Sequence, residues 1–215
     1  FFKNLDNFRS TLNGEPRGHY PMHSSIFIPL KSKTIDFGLI LMSGLGYLDM
    51  CGHALIGSIT CLIETKKISY NKKQYLNVST CAGIVKVKPN FNKKILNSIT
   101  FINSNSFALD YKMKINIKKY KNIEVSFAYG GLWYMLIDSK KLKTKISKKN
   151  LNFFITLGKE IRQIVNTKLK KIKNIEKLPN KIPQTLFYEN VNKKLGKNFV
   201  TSDELGFDRS PCGTG

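Results

Sequence analysis

The chain has 215 residues, 41% of them hydrophobic and 23% charged, with a formal net charge of +22. This is the composition of one large folded domain or two small ones, and it excludes a low-complexity chain. No run approaches the roughly 18 apolar residues of a membrane span, and the opening Phe1-Phe2-Lys3-Asn4-Leu5-Asp6 shows no secretory pattern, so a cytoplasmic protein without membrane attachment is expected.

The positive charge invites a nucleic-acid partner, but almost all of it is lysine. Arginine, whose planar fork suits bases and phosphates, stands only at Arg9, Arg17, Arg162 and Arg209. The lysines are scattered through turns and polar faces among many Asn and Ile, which describes a solvated surface, and no nucleic-acid partner is expected. The four cysteines, Cys51, Cys61, Cys81 and Cys212, show no C-x-x-C pair and no Cys/His ligand spacing. Neither disulfides nor a metal site is expected. With no initiator Met and a last stretch of Cys212-Gly213-Thr214-Gly215, the chain reads as cut at both ends, a piece of a longer protein that is inactive alone.

In chain order, residues 4–13 read as a short helix with Leu5, Phe8 and Leu12 on one face and Gly14 beyond its end. A turn-rich connection follows, Glu15-Pro16-Arg17-Gly18-His19-Tyr20-Pro21-Met22. His19 and His23 lie there, and loop histidines are more often solvated than functional. Residues 25–30 and 35–42 are rich in β-branched and aromatic side chains and read as paired strands. Gly44-Leu45-Gly46 then bends the chain toward Leu48-Asp49-Met50-Cys51-Gly52-His53.

Residues 52–65 are apolar on every side, the mark of a buried central helix. Cys61 is expected inside it as inert filling, and Gly57 is expected to permit close backbone packing. Cys51 stands where that helix begins. Unpaired N–H groups of a first helical turn bind anions and stabilise a thiolate, although a single Cys is more often a core residue. Residues 75–80, 83–87, 95–101, 111–117 and 123–127 are short β runs at regular spacing, which predicts a curved, barrel-like sheet with Cys81 packed between two strands. After Gly130-Gly131 come a strand over 132–137 and a lysine-rich connection.

Leu157, Ile161, Ile164, Val165 and Leu169 then form the stripe of an amphipathic helix over 150–170, with Lys159, Arg162, Asn166 and Lys170 expected in solvent. Strands over 184–189 and 197–201 lead to Asp208-Arg209-Ser210-Pro211-Cys212-Gly213. Strands, a turn, then Cys-Gly repeat the arrangement around Cys51. The chain therefore divides into an N-terminal half, 1–124, and a C-terminal half, 125–215, each presenting a thiol at the start of a helix.

Two such thiols could act on opposite faces of one small molecule. One, as thiolate, removes a proton from carbon, and the other, as thiol, returns one from the far side, which inverts that carbon without metal or organic cofactor. The backbone amides of Gly52, His53, Gly213 and Thr214 can hold a carboxylate and the charge that develops beside it. Asp208 can meet a substrate ammonium.

Met50-Cys51-Gly52-His53 and Asp208-Arg209-Ser210-Pro211-Cys212-Gly213-Thr214-Gly215 resemble the two signature motifs of the proline racemase family, which also holds 4-hydroxyproline epimerases and trans-3-hydroxyproline dehydratases. Glu15-Pro16-Arg17-Gly18-His19, Asp36-Phe37-Gly38 and Phe127-Ala128-Tyr129-Gly130-Gly131 fall in the family's order, so the resemblance spans nearly the whole chain. It implies an α/β (α+β) fold of two pseudo-symmetric halves, each a curved sheet around a central helix as in diaminopimelate epimerase, with the active site between them. It also implies a cofactor-independent isomerase, homodimeric at full length, that acts on proline or 4-hydroxyproline. Cys51 and Cys212 become the acid/base pair, Gly52, His53, Gly213 and Thr214 the carboxylate-binding residues, and Asp208 with the His53 side chain the contacts to the ring nitrogen. Dehydratases of the family typically carry Thr for one of the two cysteines, so retaining both favours inversion. The dehydratase, and a non-catalytic binding member, are the alternative readings.

Overall fold

The computed structural model describes residues 6–19, 22–44, 46–70, 75–117, 119–172, 175–202, 206–210 and 212–213. Contacts divide the chain into two units. One runs up to Asn105 and takes back Gly130–Leu132, and the other holds Ser106–Tyr129 and Trp133–Gly213. The position 124/125, where the repeat in the sequence places the division, falls inside the strand Tyr120–Tyr129. Each unit has its own apolar core.

In the first unit, helix α1 (Asp6–Asn13) precedes strands β1 (His23–Pro29), β2 (Phe37–Ser43) and β3 (Gly46–Leu48). Helix α2 (Gly52–Glu64) then leads to β4 (Leu76–Thr80), β5 (Gly83–Asn92) and β6 (Ile95–Ile102). The sheet order is β1-β2-β4-β5-β6, with β3 paired to β2. The β2–β4 pair is parallel and α2 makes the crossover, while β1–β2, β4–β5 and β5–β6 are antiparallel. Strand β2 is apolar at nearly every position and buried along nearly all its length, as a strand covered on both faces should be. The short β3 has no signal of its own in the sequence, because two of its three residues flank the bend.

Arg9 fixes α1 in place. It pairs with Asp6 at 2.7 Å, donates to the carbonyls of Ser43 and Gly44 at 3.2 and 2.6 Å, and stands over the Tyr47 ring. The hydrogen bond from Arg9 holds the Asp6 carboxyl below its usual pKa. The expected apolar face of this helix is not covered: Phe8 is 56% exposed and Leu12 is also exposed. Leu5 lies outside the described residues.

The second unit contains β7 (Phe107–Ile117), β8 (Tyr120–Tyr129), β9 (Trp133–Asp138), α3 (Leu151–Leu169), β10 (Gln184–Asn190) and β11 (Gly196–Ser202). Its sheet order is β11-β10-β9-β8-β7, again with one parallel pair, β9–β10, bridged by a helix. The architecture is the expected mixed α/β one of curved sheets and few helices, but the regular β runs that read as one sheet are shared between two. The stripe Leu157, Ile161, Val165 and Leu169 is buried against Phe127, Met135, Ile137 and Phe187, and Phe154 joins it. Each such side chain contributes about 1.5–3 kcal/mol of hydrophobic burial.

Three expectations are corrected within these helices. On α2 only Leu55 and Ile59 are fully buried, with Ile56 40% exposed and Cys61 exposed, because the first unit's sheet covers one stripe of the helix rather than its whole circumference. Among the described residues a Cβ at Gly57 would meet nothing within 4 Å, so the expected close packing is not found there. On α3, Arg162 is 3% exposed, not solvated, and donates to the Thr201 and Thr185 hydroxyls at 2.7 and 3.4 Å. Gly158, one turn earlier, makes room for this: a Cβ there would collide with Thr201 Oγ1.

The two helical glycines should therefore respond oppositely to alanine. Gly57→Ala should raise stability by about 1 kcal/mol through helix propensity alone. Gly158→Ala should lower it by about 1–3 kcal/mol through overpacking, despite the same propensity gain. Urea unfolding of both variants checks the signs.

Candidate active site

Cys51 is the N-cap of α2, extended at φ −147° and ψ 111°, and its side chain makes no capping hydrogen bond to the helix. It is half-buried and packs on the first core. The first helical bond runs from Leu55 N to Cys51 O at 2.9 Å. The N–H groups of Gly52, His53 and Ala54 therefore precede the helix's own hydrogen-bond ladder and form its positive end. The tertiary structure places this end by packing on both flanks. Met50 is 0% exposed, and Ala82 N donates to Asp49 O at 3.0 Å from the β4–β5 turn.

Gly131, from the Gly130-Gly131 break, sits at φ +102°, and a Cβ there would come within 2.8 Å of Met50 Cβ. Phe101 of β6 lies over Gly52, where a Cβ would fall 2.9 Å from the ring. Glycine at 52 thus leaves room for an aromatic wall beside the first-turn amides. The exposed His53 ring faces His23 of β1, with centroids 5.9 Å apart. His23, read in the sequence as one of two loop histidines, thus begins a strand beside the candidate residues.

In the second unit, Asp208, Cys212 and Gly213 share one irregular segment after β11. Asp208 N donates to Val200 O at 2.9 Å, Ser210 N donates to Asp208 Oδ1 at 2.8 Å, and Cys212 N donates to Ser210 Oγ at 3.1 Å. Phe207 stacks on Phe199 of β11 and ties the segment to the sheet. Cys212 takes a left-handed backbone conformation, φ 52°, that non-glycine residues seldom adopt. Among the described residues no helix follows it, so the matching helix start expected there is not part of the described structure. Thr214, the remaining candidate, lies outside the described residues. The residue that sequence reasoning missed is Tyr134 of β9. Its hydroxyl is 3.1 Å from Cys212 Sγ, across 78 positions of sequence.

The other two thiols are set apart. Cys61 is exposed on α2. Cys81, expected to be packed between strands, stands exposed in the β4–β5 turn, yet its thiol is partly desolvated. That desolvation, helped by the Asp49 carboxylate, pushes its pKa up. Among the described residues no group of three or more His, Cys, Asp or Glu could hold a metal ion, and no helix is long and apolar enough to cross a membrane.

The family model for proline racemase matches residues 1–215. The chain belongs to the proline racemase family. It is 33% identical over 216 residues to a proline racemase of Acetoanaerobium sticklandii and 32% identical over 216 residues to a trans-3-hydroxy-L-proline dehydratase of Bacillus cereus. Each match covers 99% of this chain and 64% of the relative, so the chain spans about two thirds of the length of the curated relatives it matches. The crystal structure of a hydroxyproline epimerase from Agrobacterium vitis, solved with bound trans-4-OH-L-proline, superposes with a TM-score of 0.84 at 23% identity. That match covers 99% of this chain and 63% of the epimerase, and it shows a shared fold. The Gly130-Gly131 pair of this proline racemase family member now has a physical reading, since Gly131 leaves the space that Met50, the residue before Cys51, fills.

Gly131→Ala should destabilise the protein by about 1–3 kcal/mol through overpacking against Met50, and strain at positive φ adds to this. It should also change the rate of Cys51 alkylation, followed by mass spectrometry of the labelled peptide. Because the thiolate is the reactive form and desolvation, helped by the Asp49 carboxylate, pushes the Cys81 thiol up, Cys81 should be alkylated by iodoacetamide more slowly at pH 8 than a free cysteine, its rate climbing as the pH rises.

Proposed function

We propose that the whole protein inverts the α-carbon of proline or 4-hydroxyproline, with Cys51 and Cys212 as the acid/base pair. The observation that carries the reading is Cys51 at the N-cap of α2, directly before the first-turn amides of Gly52 and His53, in a chain of the proline racemase family. One sulfur, as thiolate, takes the α-proton and becomes a thiol. The electron pair left on the carbon is delocalised into the substrate carboxylate, whose negative charge the amides of Gly52, His53, Gly213 and Thr214 stabilise. The other thiol delivers its proton to the opposite face and becomes the thiolate. The substrate leaves as its mirror image at that carbon, and the two sulfurs have exchanged protonation states, so the pair titrates as a coupled unit.

Asp208 is assigned to the ring ammonium. Its Oδ1 is engaged by Ser210 N, which orients the carboxylate. His53 contributes its side chain beside the ring nitrogen. No organic cofactor or metal takes part, and the working form is a homodimer.

The dehydratase is the second reading, because the Bacillus cereus relative with that activity in its name is nearly as similar as the racemase. There the same α-proton abstraction would be followed by loss of a 3-hydroxyl as water. The retention of both Cys51 and Cys212 supports inversion, which needs an acid on the far face.

The test is chiral chromatography of L-proline and trans-4-hydroxy-L-proline incubated with the whole protein in deuterium oxide. Inversion with deuterium at the α-carbon is expected. Cys51→Ser and Cys212→Ser should each lower the rate by about 10²–10⁴-fold, the scale of one general acid or base. Full activity in either variant removes the two-thiol mechanism. A pyrroline formed from trans-3-hydroxy-L-proline, without inversion of proline, selects the dehydratase.

A further inference from the structure

We infer that Tyr134 is a positioning residue for Cys212, holding its sulfur and favouring its thiolate by donating a phenolic hydrogen bond. The inference rests on the reading of Cys212 as an acid/base group and extends it to a residue that no motif contains. Tyr134 lies in β9, a central strand of the second unit's sheet, paired with β8 through Ala128 and with β10 through Gln184. Hydrogen bonding on both edges fixes its backbone. Its side chain is among the largest fully buried ones, 1% exposed, and it projects from the opposite face of the strand to Met135, which belongs to the α3 core. A buried phenol needs a partner for its hydroxyl, and Tyr134 Oη stands 3.1 Å from Cys212 Sγ.

The direction of that bond follows from acidity. A phenol with a pKa near 10 keeps its proton beside a thiolate of pKa near 8.5, so when Cys212 is ionised Tyr134 donates and the sulfur accepts. When Cys212 is a thiol, the same contact is a weak neutral one. The difference between the two states lowers the Cys212 pKa. The left-handed φ of 52° at Cys212 is consistent with the same role. The turn and the buried phenol together aim the sulfur.

The experiment is the pH profile of Cys212 alkylation by iodoacetamide, read at the single-peptide level in the 215-residue chain, with Cys51 followed in the same digest as an internal reference. A hydrogen bond to a charged group is worth enough to shift a titration midpoint by about 1–2 pH units. Tyr134→Phe should therefore raise the Cys212 midpoint by about that much and leave the Cys51 midpoint in place. Replacement of Tyr134 by 3-fluorotyrosine, nearly the same shape but a more acidic donor, should lower the Cys212 midpoint. An unmoved Cys212 midpoint in folded Tyr134→Phe overturns the inference. If that variant does not fold, an unmoved midpoint in the fluorotyrosine protein overturns it equally. Turnover of the whole protein is a separate readout. A shifted midpoint without any inversion of proline or hydroxyproline would sink the racemase reading and leave the Tyr134 role standing, whereas inversion with an unmoved midpoint would do the reverse.

Discussion

A helix-borne guanidinium held against the end of a strand is the constraint on which each unit's delivery of its thiol depends. In the first unit Arg9 of α1 binds the carbonyls of Ser43 and Gly44, at the end of β2. In the second, Arg162 of α3 binds the hydroxyl of Thr201, one residue before β11 ends. From there the chain runs through the short β3 to Cys51 in the first unit, and beyond β11 to Cys212 in the second. The strand ends would otherwise be free to fray, as element ends do. Clamping them to a helix fixes where the segment leading to the cysteine begins. The order helix, antiparallel strand pair, arginine clamp and thiol therefore occurs in each unit, although the two share little at the level of individual residues.

The two clamps differ in cost. Arg9 has a carboxylate, Asp6, beside it on the surface, and the pair is worth little by itself in water. Arg162 is buried, where a charge is tolerated only with partners around it, and the hydroxyls of Thr201 and Thr185 are two of them. Gly158 makes that arrangement possible by leaving the space a side chain would fill.

The thiols themselves sit in unlike surroundings. Cys51 begins a helix and is flanked by packed residues, Met50 behind it and Phe101 over the next position. Cys212 follows a chain of short local hydrogen bonds from Asp208 through Ser210 and meets the phenol of Tyr134. In the proposed inversion one sulfur takes a proton from carbon while the other gives one to the opposite face, so the surroundings of each sulfur set how readily it holds its proton. A helix terminus acts through backbone dipoles that no substitution removes. A tyrosine acts through one oxygen and is open to substitution.

Much of this was legible along the chain. The stripe Leu157, Ile161, Val165 and Leu169 specified α3 and its buried face, and the apolar run over 35–42 specified β2 to within two residues, because periodicity depends only on neighbours in sequence. The thiol-bearing motifs and the family they mark were equally local, since a few adjacent residue types carry them. What the sequence could not show was which apolar or polar side chain would find a partner far away. Phe8 and Ile56 had core spacing but no covering layer, Arg162 had solvent spacing but met Thr201, and the β runs between 75 and 127 were shared between two sheets. Tyr134 read as one more strand residue until folding brought its hydroxyl to Cys212. Burial and hydrogen bonding between residues tens of positions apart are properties of the packed chain, and no local spacing encodes them.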